Sequence, residues 1–355
     1  MRLSVVVLAH NQSQMTRRCL QALAAALDGT DHEVLCVDNA STEDLGPLRD
    51  EGTAFRRFAL TRNNENLSFS SANNHAASSA AGDWLLFLNN DVEVGPSSIR
   101  ALAEFVERHP EARVCGGRLI YPGGQRLQHA GIEQMLWGLV SNYGVGASTS
   151  DDRFRHDTER FAVTGAMLCI RRDVFERVGG FDESYAWGYE DVDLCLRARA
   201  AGLRVHYVAA AEGVHCESTT LRTKRRSADV DENYRVYRRK WDHILKPAES
   251  RYLGWMESSG IRRVVVFGTG SAGKALCETL DRAGVTVAGF TATAPDVAEL
   301  RGRPVVPLAE VARLSHDRLV VGTQLYFEIE GLIRAADPAR EPLFPVLRSD
   351  SGRGA

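Results

Sequence analysis

The chain has 355 residues, of which 44% are hydrophobic and 25% charged, and its formal net charge is -3. This composition is ordinary for a globular protein, and the charge balance argues against bulk nucleic-acid binding. The length fits two domains or one large domain.

The seven cysteines are scattered without a C-x-x-C pair, and most lie in apolar runs, where thiols pack as small hydrophobes. We therefore expect reduced thiols and a cytoplasmic protein. The opening MRLSVVVLAH enters a strand-like run too early for a signal peptide, and no window approaches 18 uninterrupted apolar residues. We expect no transmembrane segment, so any membrane association would be peripheral, at the inner face.

Strand and helix patterns alternate through the first 90 residues. Apolar runs predict strands at 3–9, 33–37, 53–60 and 83–88. Helical periodicity predicts a helix at about 14–27, capped by Ser13, and another at 70–81, closed by Gly82. This alternation predicts an α/β fold with a mostly parallel sheet flanked by helices, whose ligands bind beyond the carboxyl ends of the strands.

The pattern is less regular after residue 95. Pro96 suits the first turn of a helix, and GGRLIYPGGQRLQHAG has the composition of a hairpin or loop. WGYEDVDLCLRARAAG predicts an acidic helix start and a stop at Gly202. From residue 219 to 246 the composition turns basic, as in LRTKRR, which we interpret as a helical closing segment.

A separate unit is predicted near Ile261, where RRVVVFGTGSAGKALCETLDRAG indicates a strand, a glycine-rich turn and a helix. We place a catalytic domain at 1–220, a basic helical linker at 221–258 and a small Rossmann-like domain at 259–355. Gly268, Gly270 and Gly273 fit a dinucleotide fingerprint, but the acid expected about 20 residues later is missing. We do not expect NAD binding, and docking, dimerisation or acceptor recognition remain open for this domain.

Acidic residues follow two of the predicted parallel strands. Asp38 follows VLCV, and Asp91 follows LLFLNN. Strand-end carboxylates often only make turns, but two in the same topological position favour a rim where a nucleotide could lie. Glu190 and Asp191 begin a helix, where carboxylates offset the dipole; the neighbouring Trp-Gly-Tyr favours a binding loop and a proton-accepting role.

The motifs that carry a family resemblance occur in consistent order and spacing. They are SVVVLAHNQ, VLCVDNAST, NLSFSSANNHA, LLFLNNDVEV, VTGAMLCIRRDVFERVGGFDESY, GYEDVDLCLRARAAG and VHCES. Over about residues 3–218 the chain resembles a family 2 glycosyltransferase of the nucleotide-diphosphosugar transferase (GT-A) fold. The resemblance implies inverting transfer from a UDP- or dTDP-sugar to a hydroxyl, with Mn²⁺ or Mg²⁺, in glycan, glycoconjugate or natural-product biosynthesis.

The resemblance also implies a role for each matched residue. Asp38 would hydrogen-bond the nucleotide, and Asp91 and His215 would approach the cation on the sugar-nucleotide phosphates. Asp191 would be the general base, and Glu190 would orient the acceptor. The other donor-side residues would be Ala9, Asn11, Asn66, Ser70, Asn73, Asn74 and Asn90. The acceptor-side residues would be Gly165, Ala166, Trp187 and Tyr189.

One position departs from the family pattern. Asn89 stands where the family often has the first acid of Asp-x-Asp, so the donor phosphates would have to complete the cation site. The acceptor is open: a glycan, a lipid-linked molecule, a protein or a small molecule. A homodimer through the C-terminal domain is a further expectation. The alternatives are an NAD(P)-dependent or sugar-nucleotide-modifying enzyme built on GTGSAGKAL, and a non-catalytic binding protein that would have lost Asp91 or Asp191.

Overall fold

The computed structural model describes residues 1–186, 188–216, 225–323 and 325–347, with backbone alone at 225–231. Trp187 and most of LRTKRR, both singled out above, lie outside the described residues. The chain divides into two compact units, which we call unit 1 and unit 2. Unit 1 contains residues 1–132 and 148–240, and unit 2 contains residues 133–147 and 241–355. The predicted domain boundaries stay predictions.

The helices and strands are numbered in chain order. The strands are β1 (Arg2–Ala9), β2 (Asp31–Asp38), β3 (Phe58–Arg62), β4 (Trp84–Asn89), β5 (Val92–Val94), β6 (Val114–Ile120), β7 (Leu127–His129), β8 (Ile132–Met135), β9 (Val140–Asn142), β10 (Thr158–Glu159), β11 (Met167–Arg171), β12 (Val205–His215), β13 (Arg263–Phe267), β14 (Thr286–Ala292), β15 (Glu299–Leu300), β16 (Arg303–Pro307), β17 (Arg318–Val321) and β18 (Val346–Leu347). The helices are α1 (Ser13–Leu27), α2 (Leu48–Glu51), α3 (Phe69–Ser78), α4 (Ser98–Arg108), α5 (Arg172–Arg177), α6 (Glu190–Ala200), α7 (Arg225–Ser258), α8 (Ser271–Arg282) and α9 (Tyr326–Ala336).

Unit 1 is built on one mixed sheet with the strand order β10-β12-β6-β11-β4-β1-β2-β3, and β5 and β7 pair with β12 and β6. Strands β3, β2, β1 and β4 are parallel neighbours, as are β6 and β12, whereas β11 runs antiparallel between β4 and β6. Strands β1 and β4 are almost wholly buried, as expected for continuous apolar runs in a covered sheet. The predicted α/β class is confirmed.

The predicted cap of α1 is wrong. The residue before the helix is Gln12, in the left-handed conformation with φ 61°, and Ser13 already belongs to the helix. The carboxylate of Glu43 accepts the backbone N–H groups of Gln12 at 3.1 Å and Ser13 at 3.0 Å. These hydrogen bonds lower the pKa of Glu43. A distant acid therefore supplies the cap that a local serine was expected to supply.

Two further sequence predictions for unit 1 are wrong in detail. Helix α3 ends at Ser78, and Gly82 does not close it; a Cβ on Gly82 would lie 2.6 Å from the backbone nitrogen of Ser4. Close packing against β1 therefore explains this glycine. The third strand begins at Phe58, because residues 48–54 form helical turns.

Unit 2 contains a sheet with the strand order β15-β16-β14-β13-β17, in which β13 is parallel to both β14 and β17. A second sheet has the order β18-β8-β9. The core of unit 2 includes Met135, Leu136 and Trp137 together with apolar residues from 256–347. Within the residues described, no helix is both long enough and apolar enough to cross a membrane.

Candidate active site

Four residues, which we call the rim row, lie side by side at the sheet edge formed by the carboxyl ends of β1, β2 and β4. They are Ala9, Asp38, Asn89 and Ala166. Ala9 at the end of β1 pairs in register with Asp38 at the end of β2. On the other side of β1, Leu8 pairs with Asn89 at the end of β4. The backbone N–H of Asn89 donates to the carbonyl of Ala166 at 3.0 Å. Residues from four separate sequence motifs thus meet at one rim, because β1, β2 and β4 are parallel and β11 enters the sheet from the opposite direction.

Asp38 lies at the edge of a pocket at this rim. The pocket has a volume of about 450 Å³ and is lined by residues 41–46 and by the ends of β2 and β3, including Asp38 and Arg62. The backbone N–H of Ser41 donates to Oδ1 of Asp38 at 2.8 Å, and the Arg62 guanidinium donates to Oδ2. Burial alone would raise the pKa of Asp38, but the hydrogen bonds from Ser41 and Arg62 lower it below its ordinary value. The carboxylate is therefore charged at neutral pH.

Arg62 was not predicted as a site residue. It pairs in register with Asp38 at the end of the adjacent parallel strand, and its guanidinium also donates to the carbonyl of Ser41 at 2.9 Å. The strand predicted at 53–60 ended before Arg62, so its pairing with Asp38 was not predicted. A basic residue closing a strand beside an acid is the signal that could have found it.

The predicted donor-side amides mostly bind the protein itself. Oδ1 of Asn11 accepts from the backbone of Thr42 at 2.8 Å, which holds the pocket loop. Asn66 accepts at 2.8 Å from the side chain of Asn39. Nδ2 of Asn73 donates to the carbonyl of Phe69 at 2.9 Å. The Asn11 contact thus holds the pocket loop, whereas the Asn73 contact lies within α3.

The other predicted residues of this group differ in their surroundings. The amide of Asn74 donates to the carbonyl of Phe181 at 2.8 Å and accepts from its backbone N–H at 2.8 Å. Asn90 donates to the Thr16 hydroxyl at 2.9 Å. Ser70 is fully buried, and its hydroxyl has no hydrogen-bond partner among the described residues.

Asp91 and His215 come together beyond the row. His215 ends β12 and pairs in register with Val92 of β5, which directly follows Asp91. Nε2 of His215 lies 3.1 Å from Oδ1 of Asp91, and both side chains are largely buried. On the other side of the ring, Nδ1 of His215 lies 2.7 Å from Oε1 of Gln128. Gln128 lies 87 residues before His215, in the segment that the sequence predicted only as a hairpin or loop.

One carboxylate and one imidazole make a partial donor set for a divalent cation. No group of three or more His, Cys, Asp or Glu residues arranged for a metal ion occurs in the part of the chain described. Oxygen and imidazole donors suit Mn²⁺ or Mg²⁺, and a diphosphate with water can occupy the remaining positions. The residues present therefore fit a cation that binds together with a nucleotide.

The two carboxylates at the start of α6 lie in different environments. Oδ2 of Asp191 accepts from the backbone N–H of Gly165 at 2.8 Å, and Oδ1 accepts from Val192 at 2.7 Å. Burial raises the pKa of Asp191 against the effect of these two donors. Glu190 is 8% exposed, and burial, followed by the neighbouring Asp191, raises its pKa to about 8. Burial thus favours the protonated form of Glu190, while two backbone donors favour the charged form of Asp191.

The acceptor-side predictions lie around this pair. Gly165 is close enough that a Cβ on it would lie 3.4 Å from the Cβ of Asp191, and Ala166 belongs to the rim row. Tyr189 precedes α6 with φ 72°, and its ring centroid lies 4.9 Å from that of Tyr237 on α7. The structure does not describe Trp187. Gly165 and Tyr189 lie beside Glu190 and Asp191, and Ala166, next to Gly165, belongs to the rim row.

Helix α7 holds the loop before α6, a role that the sequence did not indicate. The side chain of Asn233 is buried; it accepts from the backbone N–H of Ala186 at 3.2 Å and donates to the carbonyl of Gly188 at 3.1 Å. One amide thus makes hydrogen bonds on both sides of residue 187 and restrains the turn into Glu190.

Family models match three parts of the chain. Residues 4–179 match "Glycosyl transferase family 2", residues 147–219 match "N-terminal domain of galactosyltransferase", and residues 260–338 match "C2185-like, N-terminal". The first match spans the rim row, and the second spans the Glu190-Asp191 pair and His215.

Curated proteins with similar sequences include bacterial glycan enzymes. The chain is 33% identical over 245 residues to "O-antigen biosynthesis protein RfbC" of Myxococcus xanthus, which covers 67% of this chain and 19% of that protein. It is 28% identical over 234 residues to the "N-acetylglucosaminyl-diphospho-decaprenol L-rhamnosyltransferase" of Mycobacterium tuberculosis, covering 60% of this chain and 75% of that enzyme. The chain thus spans only about a fifth of the length of the Myxococcus relative.

The fold has solved counterparts. The structure of "GalNAc-T7 with UDP, GalNAc and Mn2+" aligns with a TM-score of 0.54 at 16% identity, covering 81% of this chain and 55% of that chain. This likeness concerns the fold, and the match over residues 4–179 concerns the sequence. The sequence match over residues 4–179 shows that the chain belongs to the family 2 glycosyltransferases.

Proposed function

We propose that the protein transfers a sugar from a UDP- or dTDP-sugar to an acceptor hydroxyl, with inversion at the anomeric carbon and assistance from a divalent cation. The observation that carries this proposal is the rim row. Asp38 and Asn89 share it with Ala166, and Gly165 beside Ala166 binds Asp191. A donor along this row would extend from the pocket at Asp38 towards the carboxylate of Asp191.

The pocket at Asp38 supports a pyrimidine nucleotide. Its carboxylate is a hydrogen-bond acceptor, and the adjacent Arg62 guanidinium is a donor. The imide edge of uracil or thymine carries one N–H between two carbonyl oxygens. A guanidinium beside a carboxylate can pair with one carbonyl and the N–H of that edge, which supports UDP or dTDP as the nucleotide.

Asp91 and His215 are the residues that would hold the cation. When bound, the cation would act as a Lewis acid that stabilises the negative charge of the leaving diphosphate. Asn89 supplies a neutral amide at the rim, so Asp91 is the strand-end carboxylate for this site. The imidazole favours Mn²⁺ over Mg²⁺, and the GalNAc-T7 structure named above contains Mn²⁺ with UDP.

Asp191 is the residue proposed to accept the proton. As the acceptor hydroxyl forms its bond to the anomeric carbon, its proton passes to a carboxylate oxygen of Asp191. The bond from the anomeric carbon to the phosphate oxygen breaks, and its electron pair leaves with the nucleoside diphosphate. Attack from the face opposite the leaving group inverts the anomeric configuration. Glu190, in its protonated form, can donate a hydrogen bond that orients the acceptor.

The acceptor is proposed at the level of its class. The names of the Myxococcus and Mycobacterium relatives concern O-antigen biosynthesis and a lipid-linked N-acetylglucosamine. These names support a bacterial glycan or lipid-linked acceptor and include a rhamnosyl donor among those to test.

The glycine-rich loop of unit 2 gives no reason for a second function. A Cβ on Gly273 would overlap the carbonyl oxygen of Gly268, so close packing explains Gly273. Strand β14 ends in Thr291 and Ala292 without a carboxylate for a ribose. We therefore propose no nucleotide chemistry for unit 2.

A binding screen followed by one variant tests the proposed function. In thermal-shift assays, UDP or dTDP with Mn²⁺ should stabilise the protein more than GDP with Mn²⁺ or either nucleotide alone. Asp191→Asn should lower the transfer or hydrolysis of UDP- and dTDP-sugars by about 100- to 10,000-fold, the usual contribution of a general base, with the nucleotide shift unchanged. Asp173→Asn, in the exposed first turn of α5, is the control. A near wild-type rate in Asp191→Asn would show that the base lies elsewhere.

A further inference from the structure

Gln128 occupies an irregular position in the sheet of unit 1. In the antiparallel pair of β6 and β7, Leu119 is opposite His129 and Ile120 is opposite Leu127. Gln128 is therefore the extra residue of a β-bulge. Bulges bend a strand and redirect a side chain, and they occur often beside active sites. Here the redirected side chain is 4% exposed and reaches the end of β12.

The redirected amide contacts one nitrogen of His215, while the other nitrogen faces Asp91. Oε1 of Gln128 lies 2.7 Å from Nδ1, and Oδ1 of Asp91 lies 3.1 Å from Nε2. The two nitrogens of the imidazole thus face side chains that lie far apart in the chain. The separation between Gln128 and His215 is 87 residues, so only the folded sheet brings the three groups together.

The atom that Gln128 presents determines which ring nitrogen can bind a cation. A carbonyl oxygen only accepts hydrogen bonds, so the ring must carry a proton on Nδ1. In the neutral imidazole the lone pair is then on Nε2, which faces the carboxylate of Asp91. Histidines that bind metals commonly donate their second N–H to such a partner, which sets the tautomer and the ring orientation.

We propose that Gln128 is a positioning residue that keeps the His215 proton on Nδ1 and directs the Nε2 lone pair towards the cation shared with Asp91. This inference rests on the cation site of the proposed function. It adds a residue that the family resemblance did not assign and gives the bulge in LQHAG a purpose. A purely structural glutamine would contribute to stability but would not control the tautomer of His215.

Two substitutions separate these roles. Gln128→Met keeps the length of the side chain and removes the acceptor, and Gln128→Glu restores an acceptor. Uptake of Mn²⁺ is measured by electron paramagnetic resonance, with UDP and with dTDP present. Gln128→Met should weaken Mn²⁺ binding by about 10- to 100-fold, the usual effect of removing such a partner, whereas Gln128→Glu should bind at least as tightly as the wild type. Gln21→Met, on the exposed side of α1, is the matched control.

The tautomer itself is measured by ¹H–¹⁵N NMR on protein labelled at its ten histidines, with the His215 signal identified by its loss in His215→Asn. Wild type should show a protonated Nδ1, and Gln128→Met should lose this preference even if its melting temperature falls. Mn²⁺ binding in Gln128→Met within threefold of wild type, or an unchanged His215 signal, would overturn the inference alone. A wild-type protein that takes up no Mn²⁺ with either nucleotide would overturn the proposed cation site, and the inference with it.

Discussion

Glu190 and Asp191 show how neighbouring residues of one type acquire different chemistry. Both stand in the first turn of α6, where the helix dipole favours negative charge. Burial opposes the dipole for each carboxyl group, but Asp191 has two backbone donors at its oxygens. Oε2 of Glu190 has no hydrogen-bond partner among the described residues. The pair is therefore divided into a carboxylate that can accept a proton and a carboxylic acid that can donate a hydrogen bond.

The raised pKa of Glu190 predicts a pH-dependent gain in stability on substitution. Folding raises this pKa from an ordinary value of 4.5 to about 8, so the folded protein binds the proton more tightly than the unfolded chain. Its contribution to stability is therefore full below about pH 4.5 and is lost as the pH rises to about 8. Glu190→Gln, which stays neutral, should raise the melting temperature above that of wild type at pH 9, with a smaller difference at pH 5.

Thermal melts between pH 5 and pH 9 measure this difference. Glu176→Gln, an exposed glutamate in the last turns of α5, is the control and should show no such trend. A melting-temperature difference between Glu190→Gln and wild type that does not change with pH would mean that Glu190 is not buried as an acid.

Helix α7 supports helix α6. Asn233, Tyr237 and Lys240 follow one another at helical spacing and contact, in turn, the loop before α6, Tyr189 and the body of α6. Nζ of Lys240 lies 2.8 Å from Oδ1 of Asp193, which is fully buried. The sequence predicted this basic segment as a helical closing segment, and Lys240 within it neutralises a buried carboxylate.

Loss of the Lys240 charge should destabilise the fold. The ammonium group lies 2.8 Å from both Asp193 and Asp182. Without it, Asp193 keeps the Arg197 guanidinium, at 2.7 Å, as a counter-ion. Breaking a buried ion pair costs about 3 to 5 kcal/mol; because Arg197 remains, we expect Lys240→Met to cost about 2 to 3 kcal/mol. Urea unfolding measures the change in free energy.

Lys246 provides the matched control on the same helix. It is 67% exposed and pairs with Asp242 at i,i+4, so Lys246→Met should change the free energy of unfolding by less than about 0.5 kcal/mol. Equal effects of the two lysine substitutions would show that the contact with Asp193 contributes nothing to stability.

The strands were more predictable than the helix ends and turns. Strands β1 and β4 are continuous apolar runs, because a strand that is buried on both faces requires apolar residues at nearly every position. The cap of α1 depends on Glu43, about 30 residues away, and the conformations at Asn11 and Gln12 require φ values of 57° and 61° that no local residue type indicated. Local patterns therefore predicted the elements, whereas long-range contacts set their ends.

The same distinction holds for the whole molecule. The motif order identified the family and the residues that meet at the rim, since these lie at the ends of predictable strands. Arg62 and Gln128 were missed because each acts through a partner on another strand, and Gln128 also depends on a bulge. The segment 133–147 belongs with residues 241–355 in unit 2, although it lies inside the region that resembles the family. No periodicity in the sequence indicates that assignment.

This arrangement predicts what removal of the C-terminal residues would do. Met135 and Leu136 are fully buried, and Trp137 is 4% exposed, in a core shared with residues such as Val264 and Leu347. Strand β8 also loses its partner β18 when the C-terminal residues are absent. A protein ending at Ser258 would expose these three side chains, and burial of each large apolar side chain is worth about 1.5 to 3 kcal/mol. We therefore expect it to aggregate.

Replacing Met135, Leu136 and Trp137 by Ser in the shortened protein should reduce that aggregation, because the exposed apolar surface is then removed. Size-exclusion chromatography with light scattering compares the two shortened proteins with the full chain. The same number of serine substitutions at the exposed positions Ala54, Ala186 and Ala200 controls for a general effect of serine and should leave the shortened protein aggregated. A shortened protein that is monomeric with its native 133–147 segment would contradict this prediction, because the apolar side chains of the segment would then be covered without residues 259–355.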